Sequence, residues 1–187
     1  YRELPEPVVI MEKVERLSRE LAYTGTVIKV YRDHVRVPGG QEADWDYIHH
    51  DGAAAVVPVL PDGRILMVRQ YRNALDRFTL ELPAGKVDAP DEPKELCAAR
   101  ELEEETGYRS DDLKHLITVN TTVAFCNERI EIYTAENLIP TSQHLDEDED
   151  IEVEAYSLES LLAMIYAGKI TDAKTSAGIL AYAMQNR

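Results

Sequence analysis

Apolar and polar positions along the chain predict a succession of short strands broken by turns. Two apolar runs of strand length, 53–60 and 64–72, flank the turn 61–63, which reads Pro-Asp-Gly. Further runs of strand length and composition predict strands at 24–31, 33–37, 43–50, 81–85, 113–119, 129–138 and 151–156.

Four other segments have helical periodicity. The strongest, 92–106, has Pro93 in its first turn and Gly107 directly after its end. The stretch 9–22 carries apolar residues at helical spacing, namely Val14, Leu17 and Leu21. Two C-terminal helices are predicted at 157–167 and 172–184. Strands with helices on both sides predict an α/β sandwich with a mixed sheet.

The composition of the chain limits the kinds of molecule that it could bind. The 187 residues suit one domain, 44% of them are hydrophobic, and the net charge is −15. An acidic surface repels nucleic-acid backbones and anionic lipids, so we expect neither nucleic acid nor membrane as partner. An anionic ligand would need a local cation, for which a divalent metal is the simplest answer. The absence of a signal-like N-terminus and the two cysteines, Cys97 and Cys126, predict a reduced cytoplasmic protein.

Three glutamates in the predicted helix 92–106 form one stripe. Glu101, Glu104 and Glu105 are i, i+3 and i+4 neighbours and fall within an arc of about 100°. Each like-charge i,i+4 pair costs roughly 0.2–0.5 kcal/mol, which a hard cation such as Mg²⁺ would offset. Apolar residues on the other side are predicted to face the core: Leu96, Ala99 and Leu102. The alternative is a solvated acidic helix face.

The residues around these glutamates resemble the Nudix box, G-x5-E-x7-R-E-U-x-E-E-x-G-U, in which U is apolar. Gly85 opens the segment, Glu92 follows, and 100–108 reads Arg-Glu-Leu-Glu-Glu-Glu-Thr-Gly-Tyr. The match departs at one point, because six residues rather than five separate Gly85 from Glu92. Asp91 is the alternative occupant of that acidic position, and neither choice moves the glutamates of the helix.

The Nudix resemblance implies an enzyme with an α/β/α sandwich, preceded here by a small N-terminal antiparallel β-sheet. It implies Mg²⁺, with Mn²⁺ as a possible substitute, bound by Glu101, Glu105 and the backbone carbonyl of Ala84. Glu104 is implied as a ligand or as the residue that holds a metal-bound water. Arg100, four residues before Glu104, is expected to pair with it as part of the catalytic set.

The chain further resembles the ADP-ribose pyrophosphatase branch of the family. The resemblance rests on five stretches taken together: 68–72, 81–85, 125–128, 146–150 and 172–178. It implies hydrolysis of ADP-ribose to AMP and ribose 5-phosphate. Val123 stands where that branch commonly has proline, so another nucleoside diphosphate sugar such as GDP-mannose, or a dinucleotide, is an alternative substrate. A non-catalytic nucleotide-binding regulator is the alternative from another class.

The same resemblance assigns roles outside the helix. Arg72 would contact the substrate diphosphate, since a guanidinium donates a rigid fork of hydrogen bonds. Glu81 and Glu128 match positions near the metal and substrate. In the acidic loop 146–150, Glu147 matches the general base and Glu149 a metal-contacting position, although a solvated turn is the usual fate of such a run.

Trp45, the single tryptophan, falls where relatives place a residue against the adenine, often from the partner subunit. The alternative is a structural anchor. Arg69 is likewise the alternative to Arg72 at the diphosphate. We therefore expect a homodimer in which residues 1–50, a helix and β-sheet region, support dimerisation and residues 51–187 form the Nudix domain.

Overall fold

The computed structural model describes residues 12–147 and 149–186, which divide into two compact units. The first unit comprises the chain up to His49 together with 124–126, and the second comprises the remainder. No helix in the described ranges is long and apolar enough to cross a bilayer.

The first unit is a three-stranded antiparallel sheet in the order β1-β2-β3. Its strands are β1 (Glu15–Thr24), β2 (Lys29–Arg36) and β3 (Glu42–His49). Arg19 on β1 pairs with Asp33 at 2.6 Å, and its guanidinium lies 3.7 Å from the ring centroid of Tyr47. The expected N-terminal antiparallel sheet is therefore present.

The predicted helix over 9–22 is wrong where the structure describes it, because Glu15–Thr24 is a strand; residues 9–11 lie outside the described residues. All ten residues of β1 are exposed, so no apolar face is buried that would favour a helix. Pairing with β2 satisfies the backbone instead, with two irregularities in register. In place of the two strands predicted at 24–31 and 33–37, a single strand, β2, covers Lys29–Arg36, and Thr24 ends β1.

Over its described residues, the second unit contains three sheets, three α-helices and one short 3-10 helix (Asn73–Leu75). Its strands are β4 (Ala53–Pro58), β5 (Ile65–Arg72), β6 (Arg77–Glu81), β7 (Ala84–Lys86), β8 (Tyr108–Arg109), β9 (Asp112–Asn120), β10 (Arg129–Glu136), β11 (Ile139–Pro140) and β12 (Ile151–Tyr156). Its helices are α1 (Lys94–Thr106), α2 (Leu158–Tyr166) and α3 (Ala173–Gln185). The sheets have the orders β7-β4-β10-β9, β12-β5-β6 and β11-β8. The β4–β10 pair is parallel and its neighbours are antiparallel, which makes the largest sheet mixed.

Strand β4 is the centre of the sandwich. All six of its residues are buried, as expected for a strand covered on both faces. Ala53, Ala55 and Val57 belong to one core cluster, which includes Leu161 of α2 and Ile179 of α3. Alternate residues of β4 belong to a second cluster on the α1 side, with Cys97, Ala98 and Leu102. The sheet is therefore packed between helices, as the sequence predicts.

Helix α1 begins after Pro93 and ends before Gly107, close to the predicted limits. Gly107 has a φ of 69°, a left-handed conformation that glycine adopts at little cost and that ends the helix. Leu102 is buried as predicted, but Leu96 is 61% exposed and does not face the core. The buried face instead includes Cys97 and Ala98.

Candidate active site

The stripe of glutamates on α1 points into the protein. Glu101 and Glu105 are only 8% and 3% exposed, whereas Glu104 is half-buried. Burial raises the pKa of Glu101 to about 7 and that of Glu105 to about 8. Like charge adds to both shifts, from Glu104 at Glu101 and from Glu101 at Glu105. A merely solvated acidic face would not bury two of its three carboxylates.

The guanidinium of Arg100 links two carboxylates of the stripe to the backbone of β7. Its Nη1 donates to Glu101 Oε1 at 2.8 Å and to Glu104 Oε2 at 2.9 Å, and its Nη2 donates to the Lys86 carbonyl at 3.0 Å. Glu92 Oε1 lies 3.6 Å from Arg100 Nε, and Glu92 also accepts from the Asp88 backbone N–H. Of the two candidates for the acidic position, the structure thus places Glu92 beside Arg100.

The β7 segment forms a wall against these carboxylates. The Ala84 backbone N–H donates to Glu105 Oε2 at 2.9 Å. A Cβ added at Gly85 would lie 2.1 Å from Glu101 Oε1, which no side chain could tolerate without moving the carboxylate. Glycine is required at position 85 because Glu101 packs directly on its backbone.

The donor set suits a hard divalent cation. It comprises carboxylate oxygens from Glu101, Glu104 and Glu105 beside the backbone of Ala84, and oxygen donors are those that Mg²⁺ and Mn²⁺ prefer. In residues 12–147 and 149–186 no three His, Cys, Asp or Glu side chains already enclose a metal position. Arg100 instead holds one oxygen of Glu101 and one of Glu104, in the manner expected of a cation.

A cavity of about 600 Å³ lies in front of β7. Ala84, Gly85 and Lys86 line it, so the same backbone that contacts the buried carboxylates borders the cavity. Arg72 and Glu81 also line it, and they form a two-point pair in which Nε and Nη2 donate to the two carboxylate oxygens, each at 2.8 Å.

Glu81 receives two further hydrogen bonds, one from its own strand β6 and one from α3. Thr79 Oγ1 donates to Glu81 Oε1 at 2.7 Å, and Lys174 Nζ donates to Glu81 Oε2. Burial alone would raise the pKa of Glu81, but Arg72 and Lys174 outweigh burial and lower it to about 2. Glu81 is therefore an ionised side chain that holds Arg72 at the cavity, and Arg72 remains half-exposed.

Another part of the cavity lining is rich in polar groups. Thr121 Oγ1 donates to Glu128 Oε2, and His50 Nε2 lies 3.5 Å from Glu128 Oε1. His50 Nδ1 accepts from the Gly52 N–H at 3.0 Å, which leaves its proton on Nε2, toward Glu128. Glu128 thus lies in the cavity wall, with two neighbours that the sequence did not indicate.

The acidic loop is attached at its start to α1. The Thr141 N–H donates to the Gly107 carbonyl at 2.7 Å, the His144 N–H to the Glu104 carbonyl at 2.9 Å, and Gln143 Nε2 to the Glu105 carbonyl at 2.7 Å. The charge of Glu149 contributes to the raised pKa values of Glu101 and Glu105, so Glu149 lies near them. Glu147 is exposed.

Trp45 belongs to the first unit and is 47% exposed. It lines a cavity of about 600 Å³ formed within that unit together with Val30, Ile48 and Phe125. Arg69, the alternative to Arg72, instead pairs with Glu154 of β12 and is absent from the lining of the cavity beside β7.

Two residues of the cavity wall that sequence reasoning left without a role are Asp172 and Lys174. Asp172 caps α3 by accepting from the Thr175 N–H at 3.0 Å, and the spacing Asp-x-x-Thr was the available signal for this cap. Lys174 is 8% exposed in the first turn of α3, 93 residues from its partner Glu81, and no local pattern indicates that pairing.

Comparisons with known proteins agree with this geometry. The chain is 38% identical over 171 residues to an ADP-ribose pyrophosphatase of Bacillus subtilis, covering 90% of this chain and 89% of the relative. It is 36% identical to a methanol dehydrogenase activator of Bacillus methanolicus (85% and 86% covered) and 35% identical to an ADP-ribose pyrophosphatase of Mycobacterium tuberculosis (89% and 82%). The crystal structure of an ADP compounds hydrolase superposes with a TM-score of 0.84 at 20% identity, covering 94% and 95%.

The NUDIX domain model matches residues 49–177, which contain α1, β7 and the cavity described above. The buried glutamates, the glycine on which they pack and the long similarity to these relatives lead to one assignment. The chain belongs to the Nudix hydrolase family, whose members use a divalent metal.

Proposed function

We propose that this protein is a Mg²⁺-dependent pyrophosphatase that hydrolyses ADP-ribose to AMP and ribose 5-phosphate. The observation that carries the proposal is the cavity wall at β7, where two buried carboxylates of α1 contact the backbone beside the half-exposed guanidinium of Arg72. A metal-binding carboxylate cluster next to a fork of hydrogen-bond donors suits a diphosphate. The names of the Bacillus subtilis and Mycobacterium tuberculosis relatives support ADP-ribose as substrate.

Glu101, Glu104, Glu105 and the Ala84 carbonyl would hold the metal. When bound, Mg²⁺ supplies Lewis acidity toward the diphosphate and promotes ionisation of water. Arg100 orients two of the carboxylates through Nη1.

Other side chains act on the substrate itself. Arg72 binds the diphosphate, and Glu81 and Glu128 shape the cavity around it. Water attacks phosphorus, the bridging P–O bond breaks with its electron pair going to the leaving phosphate, and Glu147 accepts the proton that the water loses. Glu149 would help to hold the metal.

A substrate panel tests the proposal. Phosphate release would be measured after phosphatase coupling with ADP-ribose, GDP-mannose, UDP-glucose, NADH and diadenosine polyphosphates, each with Mg²⁺, with Mn²⁺ and with EDTA. We expect a Mg²⁺-dependent preference for ADP-ribose. If only another compound of the panel is hydrolysed, that compound is the substrate in place of ADP-ribose. If no compound is hydrolysed, the result favours a nucleotide-binding regulator.

GDP-mannose is the first alternative because of Val123. This residue is 81% exposed and occupies the position where ADP-ribose-cleaving relatives commonly have proline. An exposed valine leaves that loop less restricted than proline would, since proline fixes its own φ.

We further propose a cytoplasmic homodimer in which residues 1–50 support dimerisation and residues 51–187 carry the activity. Two observations support it: Cys97 and Cys126 are both reduced, and apolar side chains of the first sheet and its turn are exposed, including Leu21, Tyr23 and Val27. Sedimentation of the intact protein and of a Leu21→Glu variant would test the dimer, and an unchanged mass would contradict this assignment of the surface.

A further inference from the structure

Lys174 is an unusual residue for its position. It is 8% exposed and lies in the first turn of α3, where the helix dipole disfavours a cation. A buried ammonium also loses its hydration, so an apolar side chain would serve packing at this position better. A residue that is unfavourable for both the helix dipole and the buried environment is expected where its side chain contributes to ligand binding.

The contacts of Lys174 connect three elements at the cavity. Its Nζ donates to Glu81 Oε2 on β6 and, at 3.0 Å, to Asp172 Oδ2 before α3. Glu81 in turn binds the Nε and Nη2 of Arg72 on β5, a pairing that leaves the Nη1 of Arg72 outside it. All four residues line the same cavity.

The charges of this group balance only when Lys174 is present. Arg72 and Lys174 are cations, Glu81 and Asp172 are anions, and the sum is zero. Without Lys174 the wall would carry one net negative charge at the place where the proposed substrate presents its diphosphate. At close range such a charge opposes an anionic ligand strongly, because the low-dielectric wall screens it poorly.

We propose that Lys174 is a positioning residue for diphosphate binding: it neutralises Glu81, so that Arg72 can offer its free N–H groups to the phosphate oxygens. The inference rests on the proposed pyrophosphatase function and adds to it a residue that acts through Glu81 and Arg72.

The first test compares three substitutions in the full-length protein with ADP-ribose and Mg²⁺. Lys174→Met keeps the length of the side chain and removes the charge, and Lys174→Arg keeps the charge. Lys169→Met removes one positive charge from the exposed turn that follows α2, outside the cavity. We expect K174M to raise KM about tenfold with kcat changed less than about threefold, the effect of one charge-assisted interaction.

The controls separate binding from folding. K174R is expected to retain a KM within about threefold of wild type, and K169M to match wild type. Thermal unfolding would be recorded for each variant. An unchanged KM in K174M, or a K174R variant as impaired in KM as K174M while both remain folded, overturns the inference.

A second measurement is independent of ADP-ribose. Calorimetric titration with inorganic pyrophosphate and Mg²⁺ would compare wild type, K174M and K169M. Absence of ADP-ribose turnover by wild type would defeat the proposed function alone, while weaker pyrophosphate binding by K174M would still support the role of Lys174. Equal affinity of all three proteins, or no binding by wild type, would refute it.

Discussion

Among single residues, Glu105 shows most clearly that a side chain proposed to bind a metal can destabilise the metal-free fold. Its carboxyl is buried near that of Glu101, and the Ala84 N–H donates a hydrogen bond to it. Burial of a carboxylate without a cation is unfavourable, so the fold retains Glu105 at a cost in stability. A bound divalent ion removes that cost, which couples metal binding to stability.

Glu105→Gln separates the two effects. We expect turnover of ADP-ribose to fall by at least about 100-fold, because a ligand oxygen loses its charge, while the metal-free protein unfolds at an equal or higher temperature. Steady-state kinetics and thermal unfolding in EDTA would measure both quantities. Glu103→Gln, on the same helix but outside the glutamate stripe, is the matched control and should leave both quantities unchanged. A near-normal rate in E105Q would contradict the proposed metal site.

Trp45→Ala tests the proposed contact with adenine. Stacking of a base on an aromatic ring is worth roughly 1–3 kcal/mol, which corresponds to a rise in KM of about 5- to 150-fold with a smaller change in kcat. Tyr166→Ala removes a more exposed aromatic ring from α2, outside both cavities, and should change neither constant. An unchanged KM in W45A would make Trp45 a structural residue only.

At the scale of secondary-structure elements, each of the two C-terminal helices begins at a side-chain N-cap, and only one of the two caps also belongs to the cavity wall. Asp172 caps α3 and also contacts Lys174, whereas Ser157 caps α2 by accepting from the Ser160 N–H at 3.2 Å and does not line the cavity. The α2 cap therefore isolates the contribution of capping to stability from any contribution to the site.

Ser157→Ala should lower the free energy of unfolding by about 0.5–2 kcal/mol, since one N-terminal N–H loses its acceptor. Kinetic constants for ADP-ribose should not change. Urea unfolding and steady-state kinetics would measure the two effects, with Ser157→Asp as a control that keeps an acceptor at the cap. Loss of activity in a folded S157A protein would show that α2 affects the site.

Elements with strong local signals were predictable from sequence, and those decided by distant partners were not. Helix α1 and its glutamates follow from i, i+3, i+4 spacing and from Gly107, all within 15 residues. The segment that contains β1 was predicted as a helix because Val14, Leu17 and Leu21 stand at helical spacing, yet pairing with β2 determines its conformation. Likewise, Glu81 was predicted near the site, but its partner Lys174 lies 93 residues away.

At the scale of the whole molecule, the buried carboxylates give stability an optimum in pH. In the metal-free protein the pKa values of Glu101 and Glu105, about 7 and about 8, exceed the ordinary value of 4.5. Between pH 4.5 and 8 the folded state therefore binds more protons than the unfolded state, and stability falls as pH rises. The pKa of Glu81, about 2, acts in the opposite sense and removes stability as pH falls from 4.5 toward 2.

We therefore expect the free energy of unfolding in EDTA to be greatest near pH 5 and to decline on both sides. Urea titrations from pH 2 to 9 would measure this curve. The alkaline decline should be smaller in E105Q, and the acid decline smaller in a folded E81Q variant. A curve that keeps rising from pH 5 to 8 would contradict the burial of ionisable carboxylates in α1.

The attachment of the acidic loop to α1 has a consequence for how the catalytic base is supplied. The chain is held at His144 and again at Ile151, where β12 pairs with Gln70, so six residues connect two anchored points and extend at most about 20–22 Å. A tether this short keeps the described acidic residues Asp146, Glu147, Glu149 and Asp150 within reach of α1 at a high effective concentration. For the base proposed in this loop, the length of the tether matters as much as the identity of any one acidic side chain.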